Sequence, residues 1–113
     1  MGNERFNLII KVKKFIFDIN DLIVNYPKKD YDTKDRLKYS CYELLRLVYR
    51  ANYSKDKYEF QMDILTNISM IDFCLEESLN KQIISIKRLK YITNNLNEIT
   101  KMVYGWLDAD KVK

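Results

Sequence analysis

Two groups of side chains in this sequence are equipped to hold a polyanion or a partner. Arg46 and Arg50 are interleaved with Tyr39, Tyr42, Tyr49 and Tyr53. Such rings stack on bases while guanidinium groups pair with phosphates, yet Tyr and Arg are equally favoured at protein interfaces. The face therefore fits a partner protein, a nucleic acid or a plain surface. Further along, Lys87, Lys90 and Lys101 recur with Asn94 and Asn97 on one side of a helical stretch. That row can follow a phosphate backbone or simply face solvent.

Catalytic chemistry is poorly served. The chain has no histidine, which removes Ser-His-Asp and Cys-His catalysis, the commonest zinc sets and the Glu-x-x-His motifs of di-iron bundles. Cys41 and Cys74 alone cannot complete a structural zinc site, and Gly2 and Gly105 cannot build a phosphate or dinucleotide loop. Glu76 and Glu77 point about 100° apart on a helix, so they do not converge as an acid and base pair. Asp30-Tyr31-Asp32 opens like a calcium loop but then meets Asp35 where glycine is needed and Cys41 where glutamate is needed. A non-enzymatic binding or assembly role is expected, with no cofactor, metal or small-molecule substrate.

The elements that must carry these side chains are helices. At 113 residues the chain suits one domain burying roughly 65% of its unfolded surface. One proline, two glycines and 47% hydrophobic residues leave few breaks for β turns. The excess of 20 Lys and Arg over 16 Asp and Glu gives a net charge of +4 and an isoelectric point near 9.0, which favours a polyanion partner modestly. Cys41 and Cys74 lie in apolar stretches without CxxC spacing, so buried thiols in a reducing cytoplasm are expected. Lys11, Lys13 and Lys14 interrupt MGNERFNLIIKVKKF, and position 6 is Phe, so the segment fits neither a secretion signal, a membrane span nor a myristoylation signal. The sequons at Asn52 and Asn67 are inert in a cytosolic chain.

Taken in order, the pattern predicts helices over about 4–25, 33–52, 55–80 and 86–108, forming an all-α, antiparallel up-down-up-down four-helix bundle. The first helix carries a core stripe of Leu8, Val12, Phe15, Ile16, Ile19, Leu22 and Ile23 and must stop near Tyr26-Pro27. A second stripe, Phe6, Ile10, Phe17 and Val24, lies roughly opposite. Loops cover it, or copies of the chain cover it for one another. Asp32 or Thr33 is expected to cap the second helix, whose core side is Leu37, Cys41, Leu44, Leu45, Val48 and Ala51. Ser54 is expected to cap the third, with Phe60, Ile64, Ile68, Ile71, Leu75 and Leu79 inward and Met62 and Met70 as gap fillers. Off that stripe, Met62, Met70 and Phe73 together add to the case for a second contact surface, the alternative to gap filling for the two methionines.

The last helix follows Ser85 as cap and points Leu89, Ile92, Leu96, Ile99, Val103 and Trp106 inward. Gly105 interrupts it just before the only tryptophan, at a cost of about 1 kcal/mol against Ala, so the space it leaves is expected to be used.

Ile71-Asp72-Phe73-Cys74-Leu75-Glu76-Glu77, then Ile84-Ser85, then the run from Leu96 through Lys101-Met102-Val103-Tyr104-Gly105-Trp106-Leu107, resemble the Avd family. These are accessory variability determinants of diversity-generating retroelements, with a related branch encoded in ribosomal-RNA intervening sequences. The likeness is strongest from Ile68 to Leu107, and its specific part is Ile84-Ser85 together with the ending Lys101-Met102-Val103-Tyr104-Gly105-Trp106. The resemblance implies a homopentameric barrel of four-helix bundles that binds a reverse transcriptase and assists error-prone cDNA synthesis from template RNA. Where some members carry arginines on the third helix, this chain has Asp72 and Glu76, which repel phosphates.

The nucleic-acid candidates are therefore Arg46, Arg50, Lys87, Lys90 and Lys101. The oligomer or partner candidates are Phe6, Ile10, Phe17, Val24, Tyr42 and Tyr49. Expected partners are further copies of the chain, a reverse transcriptase, RNA and DNA, with no membrane. The alternatives are a stand-alone RNA-binding bundle of the intervening-sequence type and a monomeric, antitoxin-like scaffold.

Overall fold

Four helices form where the apolar spacing places them. A computed structural model describes the backbone of residues 2–111 and the side chains of residues 7–111. Helix α1 spans Gly2–Ile23, α2 Tyr31–Tyr53, α3 Tyr58–Asn80 and α4 Ile86–Lys111, with a 3-10 turn at Lys28–Asp30. Short connections make sequential helices antiparallel, and α4 closes on α1. Among the described residues, no Cα atoms of the diagonal pairs α1/α3 and α2/α4 come within 8 Å of each other. The architecture is the up-down-up-down bundle that the pattern predicts.

The core follows the stripes. All seven predicted α1 positions are buried, as are Leu37, Cys41, Leu44, Val48 and Ala51 on α2 and Ile64, Ile68, Ile71 and Leu75 on α3. Ile92, Leu96, Ile99, Val103 and Trp106 complete it from α4. Each buried Leu or Ile contributes about 1.5–3 kcal/mol. Leu45, Phe60, Leu79 and Leu89 pack only partly against this core, and Leu47, about 60° off the α2 stripe, joins it fully. Cys41 and Cys74 are buried free thiols, and burial pushes the Cys41 thiol up. Inside the bundle the Tyr26 hydroxyl donates to Ser78 Oγ at 2.7 Å, and Ser78 in turn donates to the Cys74 carbonyl. Burial raises the Tyr26 phenol above its ordinary range despite that bond.

The helix ends depart from expectation. Helix α1 stops two residues before Asn25, and the Asn25 and Tyr26 amides bond to the Leu22 and Ile23 carbonyls in a turn ahead of Pro27. Helix α2 begins at Tyr31 straight out of the 3-10 turn, so neither Asp32 nor Thr33 caps it. Thr33 is instead fully buried and accepts a hydrogen bond from Lys81 Nζ at 2.7 Å, tying the start of α2 to the end of α3. Only Ser85 caps as expected, its hydroxyl accepting from the Arg88 amide. Helix α4 runs on past the predicted Asp108 to Lys111.

Ser54 ends α2 rather than starting α3. Its amide bonds to the Ala51 carbonyl and its hydroxyl donates to the Arg50 carbonyl. Helix α3 then begins three residues later than predicted, at Tyr58. Between them, the Lys57 ammonium donates to the carbonyls of Ala51, Asn52 and Ser54. The cation adds a second donor to the Ala51 carbonyl, bonds the carbonyls of Asn52 and Ser54, and complements the negative end of the α2 dipole. Lys57→Met keeps the aliphatic stem and removes the donors. We expect it to cost about 1–2 kcal/mol, seen as a lower thermal midpoint; an unchanged midpoint would mean water serves the carbonyls as well.

The α3–α4 turn is a Schellman motif. The Ile83 amide reaches the Ser78 carbonyl, the Gln82 amide reaches the Leu79 carbonyl, and Gln82 sits at φ 62°. Glycine adopts that conformation without the Cβ penalty, so Gln82→Gly is expected to stabilise the fold by about 1 kcal/mol. A midpoint that falls in thermal denaturation would contradict this.

Candidate assembly and nucleic-acid surfaces

The second stripe of α1 points away from the bundle. Ile10, Phe17 and Val24 are 50%, 66% and 73% exposed; Ile10 and Phe17, seven residues apart, lie on one line along α1, and Val24 stands in the turn just past its end. Phe6 lies outside the described side chains. The neighbouring helix extends this surface: Asn20, one turn beyond Phe17, donates to the Tyr42 hydroxyl at 3.2 Å. That bond sets α1 and α2 in register and brings Tyr42 beside the stripe. Two turns further along α2, Tyr49 is half-buried and stacks on Tyr53, with centroids 6.5 Å apart and planes 11° from parallel. The result is a shared α1–α2 face of apolar and aromatic groups.

Another such face lies on α3. Met62, Met70 and Phe73 are exposed there, so the two methionines do not fill gaps in the core. They sit on the side of α3 turned away from Ile64, Ile68, Ile71 and Leu75. Glu59, Asp63, Asp72, Glu76 and Glu77 share this helix, which carries no Lys or Arg. Glu77 meets Arg36 of α2 at 3.5 Å; the other four acids form no ion pair among the described residues. Fixed negative charge thus lines an apolar strip.

The two candidate arginines of α2, Arg46 and Arg50, are already engaged. Arg46 is held in a bidentate pair with Glu43, at 2.7 Å from Nε and 2.8 Å from the second nitrogen. These hydrogen bonds hold the Glu43 carboxyl below the usual range and raise the Arg46 guanidinium. A phosphate reaching Arg46 must displace a bonded carboxylate. Arg50 lies over the Phe60 ring at 5.3 Å from its centroid, a cation–π contact that pins α2 to α3. Both side chains therefore act within the fold, though their exposed edges remain on the surface.

The α4 lysines are placed differently. Lys87, Lys90 and Lys101 are exposed, and no hydrogen bond or ion pair ties down their ammonium groups among the described residues. At 100° per residue they fall within about 60° of one another, over an axial length of about 21 Å. Glu98, the acid nearest Lys101 in sequence, is taken by Lys11 of α1, whose hydrogen bond holds the carboxyl below its ordinary range. Tyr91 and Tyr104 are exposed on the same helix. Arg88, also exposed, is a further cation at the start of α4 beside Leu22, Asn25 and Tyr26. In the sequence it stands outside the three-and-four spacing of the lysine row, which is why its guanidinium is not among the expected contacts.

In the terminal motif, Tyr104 is exposed, Trp106 is buried, and the Trp106 indole N–H has no acceptor among the described residues. A Cβ built on Gly105 meets nothing within 4 Å. Among the described residues, none occupies the space this glycine leaves. Gly105→Ala should raise the stability of the isolated bundle by up to about 1 kcal/mol; destabilisation in chemical denaturation would contradict open space at that position.

Among the described residues no group of His, Cys, Asp or Glu is placed to hold a metal, and no helix is long and apolar enough to cross a membrane. No family model, curated protein or solved structure matches the chain.

Proposed function

We propose that this protein is a non-catalytic accessory subunit of the Avd type. It self-associates, docks a reverse transcriptase and helps hold the template RNA during mutagenic cDNA synthesis. The observation that carries the reading is the α1 stripe: Ile10, Phe17 and Val24 stand outside a bundle whose core is complete without them. An apolar line of that length on a small protein marks a contact surface. The ending Tyr104-Gly105-Trp106 and the resemblance it carries point to the retroelement setting and to a ring of five copies. The α4 row of unpaired lysines supplies the charge that an RNA backbone needs.

The α4 lysines also favour a second reading, a stand-alone RNA-binding bundle of the intervening-sequence type. Genomic context separates the two. A neighbouring reverse transcriptase with paired template and variable repeats supports the accessory subunit, and an insertion within a ribosomal-RNA gene supports the stand-alone protein. The direct experiment is a pulldown with the neighbouring reverse transcriptase. Retention of the polymerase after nuclease treatment is expected, and its loss would overturn the docking role. A monomeric scaffold would show no salt-dependent RNA binding.

A further inference from the structure

We infer that the α4 row takes RNA as a single strand and not as a duplex, with Tyr91 and Tyr104 stacking on its unpaired bases. This rests on the RNA-binding reading above and goes further by naming the form of the nucleic acid and the two rings that select it. Both rings are half exposed, and no hydrogen bond or ring contact holds either of them among the described residues. Each stands within about one turn of a lysine of the row. Tyr91 follows Lys87 by four residues and Tyr104 follows Lys101 by three, so ring and ammonium are neighbours on the helix surface. Between the two pairs, Asn94 and Asn97 are exposed and make no hydrogen bond among the described residues, which leaves their amides for phosphate or base. The helix rises about 21 Å from Lys87 to Lys101, room for up to about six nucleotides at roughly 3.4 Å each.

The free cations are one strand wide. The two backbones of an RNA duplex stand a groove apart, so with one of them on the row the other would lie over α1 or α3. On α1 the lysines that border α4 are already committed, Lys11 to Glu98 and Lys14 to Asp18. Helix α3 carries no cation, and its unpaired Asp72 and Glu76 repel phosphate. On the outward side of α4 itself, Asp108 is exposed and without an ion pair among the described residues, one turn past Tyr104. It closes the row at that end. The bases of a duplex are paired and stacked, their faces shut to a tyrosine, whereas each base of a single strand offers one.

The test is fluorescence anisotropy of the full chain with a labelled, unstructured RNA of about twelve nucleotides, free and annealed to its complement. The free strand should bind at least about tenfold more tightly. Replacing both rings, Tyr91→Leu with Tyr104→Leu, should weaken binding of the free strand about tenfold or more. The salt slope should not move, because no phosphate contact is lost, and affinity for the duplex should stay as it was. Phenylalanine at both positions should restore binding of the free strand. Equal affinity of the wild type for the two forms, or a double leucine variant that holds the free strand as the wild type does, overturns the inference while RNA binding stands. A protein that binds neither form overturns both. If circular dichroism shows that the double variant loses helix, Tyr91→Leu and Tyr104→Leu are measured singly, each with an expected loss of about threefold or more.

Discussion

Phe17→Asp should reduce the assembled protein to single chains of 13.7 kDa while leaving the helical circular-dichroism signal unchanged. The side chain is 66% exposed, so its replacement removes nothing from the core described by Leu8, Val12, Phe15 and Ile19. What it removes is an aromatic anchor, and it introduces a charge that assembly must desolvate. Truncating such an anchor costs about 2–4 kcal/mol, roughly 30- to 1000-fold in the dissociation constant of each contact. Sedimentation velocity and circular dichroism on the same sample decide the matter. A variant that still sediments as the wild type would show that the stripe faces solvent in the assembly, and loss of helix together with mass would place Phe17 in the fold's own packing.

The second large effect concerns the α4 row. Replacing Lys87, Lys90 and Lys101 together with alanine should lower the slope of log affinity for RNA against log salt by up to about three units, near 0.7–0.9 for each phosphate no longer neutralised. The fold should tolerate the change, because the three side chains are exposed and make no ion pair among the described residues. Arg46→Ala, by contrast, should move the slope little, since its charge is already met by Glu43 at 2.7 Å. Fluorescence anisotropy over a salt series measures both. An unchanged slope in the triple variant would exclude this face from RNA binding.

The buried side of each helix was legible in the sequence because burial imposes a period that few other constraints share. The α1 stripe could be assigned to the core residue by residue, and its opposite stripe to the outside. The ends were less legible, since a serine between two helices has the chemistry to close one or open the other. Ser54 closes α2 through its bonds to the Ala51 and Arg50 carbonyls, and Lys57 reinforces that end by donating to the carbonyls of Ala51, Asn52 and Ser54, an arrangement that propensity does not encode. Met62 and Met70 misled for a related reason: methionine fits cores and surfaces alike, and only their angle from Ile64 and Ile68 separated the two. The Arg46–Glu43 pair stood at i, i+3 in the sequence. The aromatic pattern around Arg46 suggested phosphates instead. Leu47 was missed because it lies at the edge of the α2 stripe, where burial depends on how closely α3 approaches.

The proposed self-association requires copies of this bundle to cover one another's apolar faces. The mass of the wild-type protein at micromolar concentration, by sedimentation velocity in moderate salt, tests this most directly. A multiple of 13.7 kDa is predicted. A single species at the mass of one chain across the concentration range would contradict it.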